Sequence, residues 1–248
     1  IESLSARTFG PLTERLRERN RPGVLRWILR ERCGIDVAQV NPLDAPFLRA
    51  QSATDLFQQD LGLKLLLNWP PPVNELERET GVTINSFRGY AEAIDALFNR
   101  HAGRVVAVKQ QSAYWRAQRF DKLSDAEAER AFDAAARERD GMQGTTDAPE
   151  DMRRRLQDWA FHRCIRLAVE HDLPINIHTG YLAGHDCMNL AHIRASDLEN
   201  LFRWYPRARF VLFHIGYPYE NEVIALAKHY SNVYVDLCWT WMIDPQAS

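Results

Sequence analysis

The chain has 248 residues, 46% of them hydrophobic and 26% charged, which suffices for a sizeable core in one domain of α/β-barrel size. Its 31 basic and 33 acidic residues leave a formal charge of −2, excluding a strong field for nucleic acid or an anionic membrane and pointing to small-molecule partners. Four scattered cysteines, Cys33, Cys164, Cys187 and Cys238, form no CxxC pair, so reduced thiols and a cytoplasmic setting are expected, and no apolar run approaches the roughly 20 residues of a bilayer span.

Residues 11–32 set Leu12, Leu16, Val24, Leu25, Ile28 and Leu29 at helical spacing around Pro22-Gly23, predicting two helices and a turn. A third helix is expected over about 46–60, giving residues 1–60 the character of a helical lid or insertion on a single domain of 1–248. Leu63-Lys64-Leu65-Leu66-Leu67 reads as a strand closed by Pro70-Pro71-Pro72, a loop suited to lining a site. Asn85 or Ser86 caps a helix with Phe87, Tyr90, Ala91, Ile94, Leu97 and Phe98 on one face, and Val105–Lys109 is the next strand. Ser124 and Glu127 form a capping box for a charged, Ala-rich helix over 124–139, read as a surface excursion that ends in the polar stretch Gly141–Thr146. A long helix from Pro149 to Glu170 turns Leu156, Trp159, Ala160, Cys164, Leu167 and Ala168 inward.

The remainder is regular: strand 174–178, a helix opened by the pair Ser196 and Glu199 and ending near Trp204, strand 209–214, helix Tyr219–His229, strand Asn232–Leu237. Successive strand–helix–strand crossovers predict parallel strands. His178, in Leu-Pro-Ile-Asn-Ile-His-Thr-Gly, and His214, in Arg-Phe-Val-Leu-Phe-His-Ile-Gly, each end a short apolar run and precede a turn. A polar imidazole at the carboxyl end of a buried strand, twice, points to a site. With Asn68, Lys109 and Asp236 as further polar strand endings, convergence suits a closed barrel better than an open sheet.

Lys109 cannot lie buried and charged without a partner. Asp236 suits a metal or a water, and equally the fixing of a loop. Tyr114, Trp115 and Arg116 follow Lys109, and Tyr217, Tyr219, Trp239 and Trp241 follow the later strands. Among them Tyr114, Arg116, Tyr217 and Trp239 are the expected substrate contacts, Arg116 because a guanidinium grips a carboxylate through two parallel hydrogen bonds. His185, Cys187 and His192 match no structural zinc spacing and read as a polar loop, while His101, His162, His171 and His229 sit where capping and packing explain them.

The stretches Pro174–Gly180, Tyr205–Tyr219 and Asn232–Trp239 resemble the amidohydrolase superfamily. They are similar in particular to its amidohydrolase-2 branch of metal-dependent hydrolases, decarboxylases of aromatic and aminomuconate acids, and nodulin-like domains sometimes fused to glutamine synthetase. The resemblance is specific over about 173–240, weaker over Val105–Arg116 and slight in the first 60 residues. It implies a (β/α)8 TIM barrel with a divalent metal, zinc first among the candidates, as one or two ions. It makes His178 the fifth-strand metal ligand, His214 a second-metal ligand or the catalytic base, and Lys109 the fourth-strand lysine that bridges two metals when carboxylated.

The chain departs from the family in lacking a His-x-His pair and any strand after Asp236. The expected fold is therefore a barrel without its first and last strands in this chain, and Ile1 and Ser248 read as cut ends. Zinc takes about four donors, so the cage as written is incomplete. The expected activity is a metal-dependent hydrolase of a small, carboxylate-bearing substrate, with His214 and Asp236 as catalytic residues and a homo-oligomer admissible. The alternatives are a nonoxidative decarboxylase on the same metal and a non-catalytic ligand-binding barrel.

Overall fold

The computed structural model describes residues 3–43, 45–48, 55–139, 150–184, 186 and 188–246. The chain divides into two compact units, one made of Ile1–Val40 with Ala50–Gln58, the other of Asn41–Arg49 with Gln59–Ser248. In the first, Ser5 caps helix α1 (Ala6–Arg19), its hydroxyl accepting from the Thr8 amide. The chain then turns at Gly23, with φ of 90°, into α2 (Val24–Arg26) and a π-helical continuation, Trp27–Arg32. These are the two helices and the turn expected around Pro22-Gly23. Arg26 and Asp55 pair at 2.6 Å, and a short strand β1 (Ala38–Val40) begins where Ala38 donates to the Leu56 carbonyl.

Strand β2 (Phe57–Gly62) enters the larger unit at Gln59. It corrects two expectations. Residues 57–60 are extended rather than helical, residues 45–48 are not helical either, and 49–54 lie outside the described residues. Leu63–Leu67 is not a strand, because Lys64–Leu67 forms a 3-10 turn that tucks Leu66 and Leu67 into the core. Helices α3 (Val73–Thr80) and α4 (Phe87–His101) follow, the latter capped by Ser86, whose hydroxyl accepts from the Gly89 amide. Then come β3 (Ala107–Gln110), α5 (Asp125–Arg139), α6 (Glu150–Glu170), β4 (Ile175–Ile177), α7 (Glu199–Trp204), β5 (Phe210–Leu212), α8 (Glu220–His229), β6 (Val233–Val235) and α9 (Thr240–Ile243).

Strands β2 to β6 pair in sequence order and all parallel, as short runs joined by helical crossovers must. The register carries Gly62, Lys109, Asn176, Val211 and Tyr234 along one line of the same face. The opposite face, with Leu61, Val108, Ile175, Ile177, Phe210, Leu212 and Val233, is buried beneath the helices, and each such side chain contributes about 1.5–3 kcal/mol of apolar burial. Helix α6 buries Leu156, Trp159, Ala160, Cys164, Leu167 and Ala168 as expected.

Two local readings need correction. Helix α5 starts with the Ser124–Glu127 capping box but is no surface excursion, since Ala128, Ala131, Phe132 and Ala135 are buried and the helix packs on α6. Gly141–Thr146 lies outside the described residues. Ser196 does not cap α7: its hydroxyl donates to Glu222 at 2.8 Å, and residues Ala195–Leu198 form a 3-10 turn before the helix. Among the described residues no helix is long and apolar enough to cross a membrane.

Candidate active site

The strand face opposite the helices is polar where the apolar pattern breaks. Asp60 in β2, Lys109 in β3 and Asn176 in β4 are all buried, and period-two alternation sets His178 on the same side as Asn176. Asn176 donates to Asp60 at 3.0 Å. The Lys109 ammonium nitrogen lies 3.2 Å from the centre of the Phe213 ring, a contact that favours a cation but supplies no acceptor lone pair. Burial pushes Lys109 down to about 7, against the pull of Asp60, Cys238 and Asp236. It likewise pushes Asp60 up to about 6, against the Asn176 hydrogen bond and Lys109.

His178 and His214 converge, with ring centres 4.7 Å apart and planes at 69°. The His178 Nε2–H donates to the Tyr181 carbonyl at 3.0 Å, which fixes the tautomer and leaves Nδ1 as the bare nitrogen. His214 stacks on Trp239 at 4.6 Å and 7°, and neither of its ring nitrogens has a hydrogen-bond partner among the described residues. Burial lowers both histidines, His178 to about 3 with Lys109 and His214 adding to the effect, and His214 to about 4 with Lys109 adding. Both rings are neutral at neutral pH.

The backbone is strained where the rings are aimed. His214 (φ 61°, ψ 26°) and Ile215 (φ 45°, ψ 20°) are left-handed without being glycine, at about 1–3 kcal/mol each. Four bonds hold them: Ile215 N–H to the Asp236 carbonyl and Tyr217 N–H to the His214 carbonyl, both 2.9 Å, Thr240 hydroxyl to the His214 carbonyl at 2.9 Å, and Thr179 hydroxyl to the Phe213 carbonyl at 2.7 Å. Gly180 (φ 67°) lies so close to the next loop that a Cβ there would stand 2.7 Å from Gly216 C and Tyr217 N. No side chain fits between the two loops.

Asp236 follows β6 and keeps one buried carboxylate oxygen unpartnered. Beside it Cys238 (φ 27°) is hydrogen-bonded to Asp236, and partial desolvation, reinforced by that bond and the carboxylate's charge, pushes the thiol up to about 12. One ligand atom each from His214, Asp236 and Cys238 lie within 4.8 Å of one another.

The structure thus brings together Lys109, His178, His214, Asp236 and Trp239. Tyr114 joins them, its ring 4.9 Å from that of His178 and its hydroxyl accepting from the Ala183 amide. Tyr217 touches the site through its backbone. Arg116 does not belong to the cluster. It is buried against Asp158 at 2.6 Å, also donates to Gln157, Ala117 O and Arg119 O, and lies over the Phe120 ring, so it has no free fork for a substrate carboxylate. Asn68 follows a 3-10 turn, not a strand, and the polar group on that part of the sheet is Asp60. Of the loop residues, His192 accepts from Asn189, and His185 and Cys187 lie outside the described residues. His101 bonds Glu79 and His162 bonds Tyr205, as packing histidines do.

Parallel strands alternating with helices define a partial TIM-barrel fold, and the polar cluster gathered at the carboxyl ends of those strands is its candidate site. The chain belongs to the amidohydrolase family, whose model matches residues 73–247. It is 31% identical over 138 residues to the protein fluG of Emericella nidulans, an alignment covering 54% of this chain and 16% of that relative. Among solved structures it resembles a protein of Lactobacillus casei described as a metal-dependent hydrolase (TM-score 0.66, 16% identity, 90% of this chain and 56% of that one). It also resembles the uronate isomerase of Thermotoga maritima (TM-score 0.67, 13% identity, 84% and 50%). The chain therefore spans a sixth of the curated relative and about half of each structural neighbour, and at these identities the structures speak for the fold alone.

Proposed function

We propose that this chain carries the catalytic face of a metal-dependent hydrolase acting on a small organic substrate. The observation that carries the reading is a set of buried donors with nothing to bind: Lys109 Nζ, both His214 nitrogens and an Asp236 oxygen lack partners among the described residues, beside the bare Nδ1 of His178. Buried polar groups are almost always satisfied, and nitrogen and oxygen donors of this kind suit a divalent cation such as zinc. His178 and Lys109, the latter once its amine is carboxylated, are the residues to hold it, with His214 and Asp236 beside them.

When bound, such an ion lowers the pKa of water and polarises a carbonyl. The chain's own groups do the rest. The Tyr181 carbonyl holds His178 in the tautomer that presents Nδ1. His214, neutral at neutral pH, accepts a proton from water and returns it to the leaving group, while Trp239 keeps its ring plane fixed and one face dry. The sequence expectation of a carboxylate-bearing substrate loses its anchor, because Arg116 is committed to Asp158.

Two substitutions test the division of labour. His178→Ala is expected to lower bound metal, whereas His214→Asn keeps an ion at His178 and loses about 10²–10⁴ in turnover. Elemental analysis of both purified variants beside a rate assay checks it. Full metal in His178→Ala with metal loss in His214→Asn would reverse the two roles.

A further inference from the structure

Cys238 enters none of the roles described so far, yet its sulfur sits with His214 and Asp236 inside a sphere of ligand atoms no more than 4.8 Å apart. We propose that His214, Asp236 and Cys238 form a soft-cation site in which Cys238 is a thiolate ligand. This rests on the metal-dependent reading above and places a second ion beside the one at His178, with His214 a ligand when that second ion is bound and the proton acceptor when it is not.

Three independent observations carry the proposal. First, the imidazole of His214 is almost fully buried, 3% exposed, with both nitrogens unpartnered, and an Asp236 oxygen within the same cluster is in the same condition. A buried imidazole with both nitrogens unpartnered, facing a carboxylate oxygen in the same condition, is costly unless something occupies the space between them. Second, the backbone is bent to present these side chains. His214 (φ 61°) and Cys238 (φ 27°) are both left-handed without being glycine, and strain of this kind persists only where the surroundings enforce it. Here they do: Ile215 N–H is bonded to the Asp236 carbonyl, the Thr240 hydroxyl to the His214 carbonyl, and Trp239 is stacked on the His214 ring, so the segment bearing Asp236 and Cys238 is clamped to the one bearing His214. Third, Cys238 is solvent-exposed, which gives an ion a path in.

The chemistry selects the ion. One imidazole nitrogen, one carboxylate oxygen and one sulfur are borderline-soft donors that favour zinc or cobalt over magnesium or calcium. Tetrahedral zinc, with Zn–N of about 2.0 Å and Zn–S of about 2.3 Å, places ligand atoms about 3.5 Å apart. Closing from 4.8 Å requires a shift of about 1 Å, within reach of side-chain rotation. Binding converts the thiol to a thiolate and releases one proton to solvent, so the step is balanced without any redox partner.

Cobalt(II) is the probe, because a thiolate bound to it produces a sulfur-to-cobalt charge-transfer band in the near ultraviolet whether or not the protein turns over. The full-length protein, stripped of metal and titrated with cobalt(II), is expected to show this band. Cys238→Ser is expected to lose it while keeping the visible ligand-field bands of cobalt at the remaining donors, with cobalt affinity at that position down at least about tenfold. His214→Asn is expected to lose the band as well while retaining an ion at His178. Far-ultraviolet circular dichroism shows that each variant is folded, and Cys238→Ala repeats the test if the serine variant is not. Cobalt bound without the band, or a band that survives in Cys238→Ser or in His214→Asn, overturns the inference and leaves the metal-dependent reading standing. No cobalt bound at all overturns both.

Discussion

Arg116 and Lys109 are two basic residues at almost the same depth, 6% and 2% exposed, and they have opposite surroundings. Arg116 is closed on every side: Asp158, Gln157 and two carbonyls accept from it, Phe120 lies under it, and the second Asp158 oxygen accepts the Asp121 amide. Lys109 has an aromatic face and carboxylates too far away to bond, and its nitrogen is orphaned together with those of His214 and single oxygens of Asp60 and Asp236. A buried charge alone therefore does not distinguish scaffold from site. The difference lies in whether its partners are already present in the fold, because unpaired buried groups cost free energy that a bound ligand can recover.

The comparison can be broken by substitution. The largest effect is expected for Asp158→Ala, which strands the Arg116 charge and costs about 3–5 kcal/mol in urea unfolding, with metal content of the folded protein unchanged. A variant that stayed stable and lost metal would place Arg116 in the site after all.

Asp60 probes the opposite case through pH. Its folded pKa is raised from 3.8 to about 6. Below 3.8 both folded and unfolded forms are protonated and nothing is lost. As pH rises, the unfolded chain ionises first, and folding loses about 3 kcal/mol by the time the folded group has titrated. In metal-free protein Asp60→Asn is therefore expected to be more stable than its parent, by little at pH 4 and by about 3 kcal/mol at pH 7. The carboxamide oxygen introduced by this substitution can still accept the bond from Asn176. A gain equal at the two pH values would mean that the carboxylate is not the source.

Lys109→Met is the mildest of the three. Replacing an orphaned buried amine by an apolar chain of similar length is expected to stabilise metal-free protein by about 1–3 kcal/mol while lowering bound metal. Destabilisation on thermal unfolding would reveal a partner for the amine and move Lys109 to the Arg116 side of the comparison.

Part of the candidate site was legible because a polar residue closing an apolar run is a strong local signal, and it singled out Lys109, His178, His214 and Asp236, which the fold brings together. The same habit of following apolar runs misplaced the first strand of the larger unit. Phe57-Gln-Gln-Asp-Leu-Gly looks polar because one face of β2 carries Asp60, whereas Leu63–Leu67 looks like a strand and instead folds as a 3-10 turn over the core. Asn176 was within reach, since Ile-Asn-Ile-His alternates with period two and sets Asn176 and His178 on one side. Arg116 was not, because its partner Asp158 lies 42 positions away and nothing local announces the pair. Nor could the left-handed backbone of His214 be foreseen, as only glycine signals that conformation in a sequence.

The near-contact of Gly180 with Gly216 and Tyr217 bears on how the two histidines can change over time. With main chain lying on main chain, the gap between the imidazoles is gauged by peptide groups, which come in one thickness, and not by side chains, which come in many. The loops after β4 and β5 are in this respect a single part cut in two by the sequence. Whatever lengthens or re-angles one must be matched in the other, and an attempt to graft this pair of imidazoles onto another barrel has to carry residues 178–181 and 213–218 across together.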